Sequence, residues 1–161
     1  MGGAFGMKEG GTIRVAALGQ EGTFAAGISV GEALKALLPA SQAGEALCAM
    51  RGGECLELNE RLEADACLLP LTYRDEEGRR VYERSLRFLF LLSLKRLYPG
   101  RRVRMLNSVG YGLYMRLTDG DMGHEMARAI EEDMRELVRQ DLPFQKEEWT
   151  REEAIAYFEN E

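Results

Sequence analysis

Three features predict an α+β fold. Between Thr12 and Leu71, short runs of β-formers alternate with glycine-containing turns, and only one helical pattern interrupts them. From Val81 to Gly100 the stretch VYERSLRFLFLLSLKRLYPG carries the longest unbroken helix signal, stopped by Pro99-Gly100. Two further strand-like runs and an amphipathic helix follow it.

Taken in order, Thr12 to Leu18 (TIRVAAL) reads as a strand, Gly19-Gln20-Glu21-Gly22 as a turn and Thr23 to Ala26 as a returning strand. Ser29-Val30-Gly31-Glu32 has the form of a capping box, in which the Ser side chain accepts from the Glu32 backbone and the Glu side chain reaches back. The helix it opens runs through Ala33, Leu34, Leu37 and Leu38 and stops before Pro39. Ser41 to Glu45 is expected as a loop, Ala46 to Met50 as a strand, Arg51-Gly52-Gly53 as a turn and Glu54 to Leu56 as a short strand. Leu58 to Leu62 reads as a turn or a single helical turn, and Ala66 to Leu71 as a third substantial strand. Hairpin, helix, two strands and a last strand is the order of a ubiquitin-like β-grasp.

The residues strengthen that order. GISVGEAL at Gly27 to Leu34, Arg51-Gly52-Gly53, Leu58-Asn59 with Leu62, and Asp75-Glu76-Glu77-Gly78 together resemble a TGS domain. That is the small β-grasp module found at the front of threonyl-tRNA synthetases, some GTPases and stringent-response enzymes. The resemblance covers about Thr12 to Leu71.

After a connector from Arg74 to Arg80 comes the long helix. Tyr82, Leu86, Leu89, Phe90 and Leu97 recur at helical spacing, and Phe88, Leu91 and Leu92 widen the apolar face, so it is expected as a central core helix covered on more than one side. Its apolar block is too short to span a bilayer. Arg102 to Asn107 and Leu113 to Leu117 are predicted as paired strands around a turn at Ser108 to Gly112. His124 to Gln140 is an amphipathic helix with Met126, Ile130, Met134 and Leu137 on one face and Glu131, Glu132, Asp133 and Glu136 on a solvated one. Phe144 to Trp149 reads as a strand, and Thr150-Arg151-Glu152-Glu153 as a second capping box opening a final helix.

This half is similar to the second additional domain shared by threonyl- and alanyl-tRNA synthetases. YERSLRFLFLLSLKRLYPG resembles its opening helix, Gly110-Tyr111-Gly112-Leu113-Tyr114-Met115 its glycine-aromatic hairpin, and Ile130-Glu131-Glu132-Asp133-Met134 its Ile-Glu-x-x-Met helix. Asp141-Leu142-Pro143-Phe144 followed by Thr150-Arg151-Glu152-Glu153-Ala154 matches a run specific to the family. The predicted organisation is a disordered leader or tag remnant at 1–11, a TGS-like β-grasp domain at 12–73, and an additional-domain-like region at 80–161. That last region reads as truncated, the front of a longer protein.

With 45% apolar and 30% charged residues, the chain can bury a real core. Its net charge of −6 argues against general nucleic-acid affinity. The charge is uneven, however: from Arg74 to Arg104 ten basic residues face four acidic ones, between two acidic flanks. A basic middle favours a local anionic partner. Cys48, Cys55 and Cys67 are odd in number and lack C-x-x-C spacing. They read as small buried apolar residues in a reducing, cytoplasmic setting, and no secretory signal precedes them.

In the family the opening helix begins with a His-Ser-x-x-x-His type zinc motif. Here Ser85 is kept, but Arg84 and Phe88 hold the histidine positions. Arginine is a permanent cation and phenylalanine has no donor, so neither ligates zinc. The one other candidate, His124, reads as a solvated residue at a helix start. No Ser-His-Asp set, P-loop or complete G-x-G-x-x-G occurs. No catalytic residue, metal ligand or cofactor is therefore assigned to this segment. What remains is a basic set, Arg84, Arg87, Lys95, Arg96, Arg101, Arg102 and Arg104, whose guanidinium groups suit phosphate through bidentate hydrogen bonds.

Loss of both helix histidines fits a group of bacterial uridine kinase/phosphoribulokinase-like proteins, in which a TGS domain and a degenerate additional domain precede a P-loop kinase. That resemblance implies a non-catalytic N-terminal region that binds a nucleotide or RNA. Its parent protein would be an ATP-dependent uridine kinase whose C-terminal domain is a partner, with no membrane involved. The alternative is the N-terminal TGS and editing-like region of a threonyl-tRNA synthetase, touching tRNA without zinc-dependent editing.

Overall fold

The computed structural model describes residues 11–109, 112–145 and 147–159, with side chains for all of these except 107–109. The expected leader, apart from Gly11, and Gly110-Tyr111 of the expected hairpin turn lie outside the described residues. The chain divides into two compact units, Met1–Phe88 and Leu89–Glu161. The fold is α+β.

The first unit opens with a hairpin of β1 (Thr12–Ala17) and β2 (Gln20–Ala25). The turn is Leu18-Gly19 rather than the four residues from Gly19, so β2 begins three residues earlier than expected. Both turn residues have positive φ, 50° and 81°, the two-residue geometry that matches the twist of paired strands. Then come β3 (Ile28–Ser29), α1 (Val30–Leu37), α2 (Ala40–Glu45), β4 (Cys48–Arg51), β5 (Glu54–Leu56), β6 (Arg61–Leu62) and β7 (Ala66–Leu71). Five strands form one sheet in the order β2-β1-β7-β4-β5. Its central pair, β1 and β7, is parallel, with Val15 beside Ala66, and the other pairs are antiparallel. This is the predicted β-grasp order.

The capping box of α1 is formed: Ser29 Oγ accepts from the Glu32 amide at 3.2 Å, and Glu32 accepts from the Ser29 amide at 2.9 Å. Val30, Ala33 and Leu34 of α1 are then buried in one core with Ile13 and Val15 of β1 and Leu68 of β7.

Two local expectations are corrected in this unit. Ser41 to Glu45 is helical, not a loop, because the Pro39 carbonyl accepts from the Gln42 and Ala43 amides and Ala43 is buried. The end of the Leu58–Leu62 stretch is extended, not turned, because Ile28-Ser29 offers it a strand partner and Leu62 is fully buried.

The long helix α3 (Glu76–Leu97) starts five residues earlier than its apolar pattern. Asp75 explains this. Its carboxylate accepts from the Thr72 amide at 2.7 Å and the Thr72 hydroxyl at 3.1 Å, fixing the approach, and Arg80 then pairs with Glu77 and Glu76 in the first turns. The expectation that α3 is a core helix covered on several sides is overturned. Only Gly78, Phe90, Ser93 and Leu94 are buried, while Tyr82, Leu86, Phe88, Leu91 and Leu97 are exposed. A contiguous apolar run turns 100° per residue and points all round the helix, and of its side chains Phe90 and Leu94 enter the core of the second unit.

In the second unit β8 (Val103–Val109) and β9 (Gly112–Leu117) form an antiparallel hairpin with a register shift between Met105 and Ser108. α4 (His124–Arg139) supplies Ile130 to a core with Phe90, Leu94 and Leu117, and Met105, Met115, Met126 and Met134 pack around it. Among the described residues, Phe144 to Trp149 is not a strand. Its residues are exposed, and Trp149 turns its indole N–H to Glu147 at 2.9 Å instead of entering a sheet. Thr150 and Glu153 form the predicted capping box of α5 (Arg151–Glu159).

Candidate nucleic-acid interface

The seven basic residues fall into three environments. Arg84 and Arg87 lie one turn apart on α3, in the first unit. Arg84 is exposed and has no hydrogen bond or ion pair among the described residues. Arg87 reaches back to Glu83 at 3.3 Å, and its Nε is buried without a hydrogen-bond partner among the described residues. Ser85 spends its hydroxyl on the Val81 carbonyl, at 3.1 Å. Beside them Phe88 exposes 54% of its surface. A guanidinium, a phenyl ring and an internally bonded serine do not make a zinc donor set, so the metal implied by the resemblance does not fit these residues. Nor do any three His, Cys, Asp or Glu side chains among the described residues form a metal-holding group.

Lys95 and Arg96 occupy the last turn of α3, where positive charge complements the helix dipole. Arg96 also pairs with Asp133 at 3.5 Å. Asp133, expected on the solvated face of α4, has a side chain only 13% exposed, with Oδ2 buried without a hydrogen-bond partner among the described residues; Arg96 reaches it from α3. Glu131, Glu132 and Glu136 are solvated as read, and His124 is exposed. Arg101 is also engaged within the protein. Its guanidinium donates to the Asp119 carbonyl oxygen at 2.9 Å and pairs with the Asp119 carboxylate at 3.1 Å, tying the start of β8 to the turn after β9.

Arg102 and Arg104 stand apart from these. Val103 and Met105 face the core, so alternation puts Arg102 and Arg104 on the outer face of the hairpin. Thr118 bonds the Arg102 carbonyl through its amide at 2.9 Å and its hydroxyl at 3.2 Å, extending the ladder by one pair. The next pair is Arg104 opposite Arg116. Arg116 and Tyr114 were missed by a reading that followed the density of basic residues along the chain. Strand alternation in GLYMRL carried the signal, because it sets Tyr114 and Arg116 together opposite the core-facing Leu113, Met115 and Leu117.

The cysteines divide. Cys48 is fully buried on β4, and burial pushes its thiol up to about 12. Cys55 is half-buried, and Cys67 is exposed, contrary to expectation, because β7 alternates and turns Cys67 away from the core that Ala66 and Leu68 enter. Open clefts indent the first unit among the described residues. One, of about 370 Å³, is walled by Arg14, Glu21, Asp65 and Cys67, and another, of about 510 Å³, by Glu45, Thr72, Tyr73, Arg74 and Tyr82; Arg84 lines neither. No helix among the described residues is long and apolar enough to cross a membrane.

Comparison with known proteins gives a consistent set of relatives. The chain is 31% identical over 144 residues to the threonine–tRNA ligase of Syntrophomonas wolfei, covering 87% of this chain and 22% of that protein. It is 32% identical over 142 residues to that of Desulforamulus reducens (86% and 22%), and 36% identical over 114 residues to that of Methylococcus capsulatus (70% and 18%). The chain thus spans about a fifth of the length of these relatives. No family model matches it.

Proposed function

We propose that this chain is an N-terminal, non-catalytic region of a threonine–tRNA-ligase-type protein that contacts tRNA and lacks zinc-dependent editing. The observation that carries the reading is similarity to such ligases along 87% of the chain. The β-grasp order of the first unit and the Arg84-Phe88 replacement support its two halves, the module type and the missing zinc chemistry. The proposed modules are residues 12–73 and 80–161. The nucleoside-kinase setting lacks such support, since the relatives named above are ligases.

The test is tRNA binding by the chain, followed by anisotropy between 50 and 200 mM salt. Affinity should fall as salt rises, with a log–log slope of about −2 to −3 for three neutralised phosphates. Reversing Arg102 to Glu should weaken binding and flatten that slope by about one unit. Absence of tRNA binding at 50 mM salt would refute the reading.

A further inference from the structure

The outer face of the β8–β9 hairpin is built against its own electrostatics. Arg104 stands directly across from Arg116, which holds the Cβ atoms of two permanent cations about 4.5–5.5 Å apart. Like charges so placed disfavour strand pairing. Arg102 follows on the same face, about 6.7 Å along β8 from Arg104. None of the three guanidinium groups has a hydrogen bond or ion pair among the described residues. Acid is not scarce nearby: from Met105 onward fourteen acidic residues outnumber six basic ones. In the same unit Arg96, Arg101, Arg135 and Arg139 each have a carboxylate partner. At the far end of the row the register shift sets two residues of β8, Leu106 and Asn107, against Tyr114 alone, and Tyr114 is 62% exposed.

We propose that this face binds single-stranded RNA, with successive phosphates along Arg102, Arg104 and Arg116 and one unpaired base stacked on Tyr114. The inference rests on the tRNA-contact reading and deepens it by naming the surface and the strandedness. Three permanent cations whose strand positions lie within about 8 Å of one another call for anions equally close and permanent, which a phosphodiester backbone supplies. An exposed aromatic ring continuing the row gives a base a stacking plane, whereas an acidic peptide makes no use of it.

The experiment measures binding of a labelled 12-nucleotide single-stranded RNA, of the same sequence as a duplex, and of tRNA, using the full chain. Arg104→Glu should weaken single-strand and tRNA binding at least tenfold. Its urea midpoint should stay level or rise, because Arg116 then faces a carboxylate, so the loss is not misfolding. Tyr114→Ala should weaken single-strand binding about 5- to 150-fold and duplex binding little. Arg135→Ala, which removes a cation already paired with Glu131, should bind like the wild type. If wild-type chain binds tRNA but both hairpin variants bind equally well, the surface assignment is overturned while the tRNA reading stands. Preference for duplex overturns the strandedness, and displacement by poly-glutamate at equal charge overturns the choice of RNA. Absence of any RNA binding overturns both readings.

Discussion

Replacing Gly78 by alanine should destabilise the first unit, although alanine is the better helix former. Gly78 lies in the first turn of α3, where the chain has just left β7. A Cβ built there overlaps the Thr72 carbonyl oxygen and stands 2.7 Å from its carbon and 3.2 Å from the Thr72 nitrogen. These are backbone atoms, which cannot rotate aside as a side-chain tip can. Thr72 is moreover held by two hydrogen bonds to Asp75. The propensity gain of a Gly-to-Ala change is about 1 kcal/mol, while overpacking costs about 1–3 kcal/mol and each disturbed hydrogen bond about 1 kcal/mol more. With both hydrogen bonds disturbed, the net expectation is a loss of about 2–4 kcal/mol. Gly44 supplies the contrast: it is also helical, in α2, but nothing lies within 4 Å of its added Cβ. Gly44→Ala should be neutral or stabilise by up to about 1 kcal/mol. Urea unfolding followed by far-UV circular dichroism reads both, and a loss of about 2 kcal/mol at a slope of about 2 kcal/mol/M lowers the midpoint by about 1 M. A Gly78→Ala protein as stable as wild type, alongside a stabilised Gly44→Ala, would refute the close backbone passage.

Three further outcomes are expected. A water-soluble thiol reagent at neutral pH should modify the exposed Cys67 and leave the buried Cys48 untouched until the protein unfolds, as read by peptide mass spectrometry. Ser29→Ala should cost about 1 kcal/mol through loss of the α1 cap. Hydrogen bonds from Ser29 hold the Glu32 carboxyl below its ordinary 4.5, so the folded state gives up that proton more readily. The associated stability is therefore present above that value and lost as pH falls through the depressed one, and the Ser29→Ala penalty should shrink in acid. Arg96→Ala should cost the second unit about 1–3 kcal/mol by leaving Asp133 unpaired, and Asp133→Asn should soften that penalty in the double variant; a thermodynamic cycle from urea midpoints checks both.

The first unit was largely legible because its signals are local. Alternation in TIRVAAL, the Ser29–Glu32 box and the Gly52-Gly53 turn each specify their own element, and the β-grasp order follows from their sequence. Elements that depend on a distant partner were not legible: Arg61-Leu62 becomes a strand only because Ile28-Ser29 lies beside it. The existence of α3 was clear but its start and its burial were not, since a run such as Phe88 to Leu92 says that apolar surface exists and not which part enters a core. For the candidate interface, charge density along the chain collected seven residues that the fold then divides. Arg96 and Arg101 are tied to Asp133 and Asp119, whereas Arg116, outside the dense segment, joins Arg104 through strand register. Linear proximity stood in for spatial proximity, and antiparallel pairing broke that substitution.

The central parallel pair of the first sheet also bears on how the protein is made. β1 and β7 are neighbours in the sheet, yet Val15 must wait for Ala66 to be synthesised before its open side is filled. At 5–20 residues per second, the stretch from Ala17 to Leu71 takes about 3–11 s to translate. From its emergence until β7 follows it out, a delay of about that length, a nascent β1–β2 hairpin presents bare amide and carbonyl groups along β1, a template that any other extended chain can pair with. The step most exposed to misassembly is therefore the wait for the last strand on the ribosome, and a synonymous change that slows translation between α1 and β7 would raise aggregation without altering a single residue.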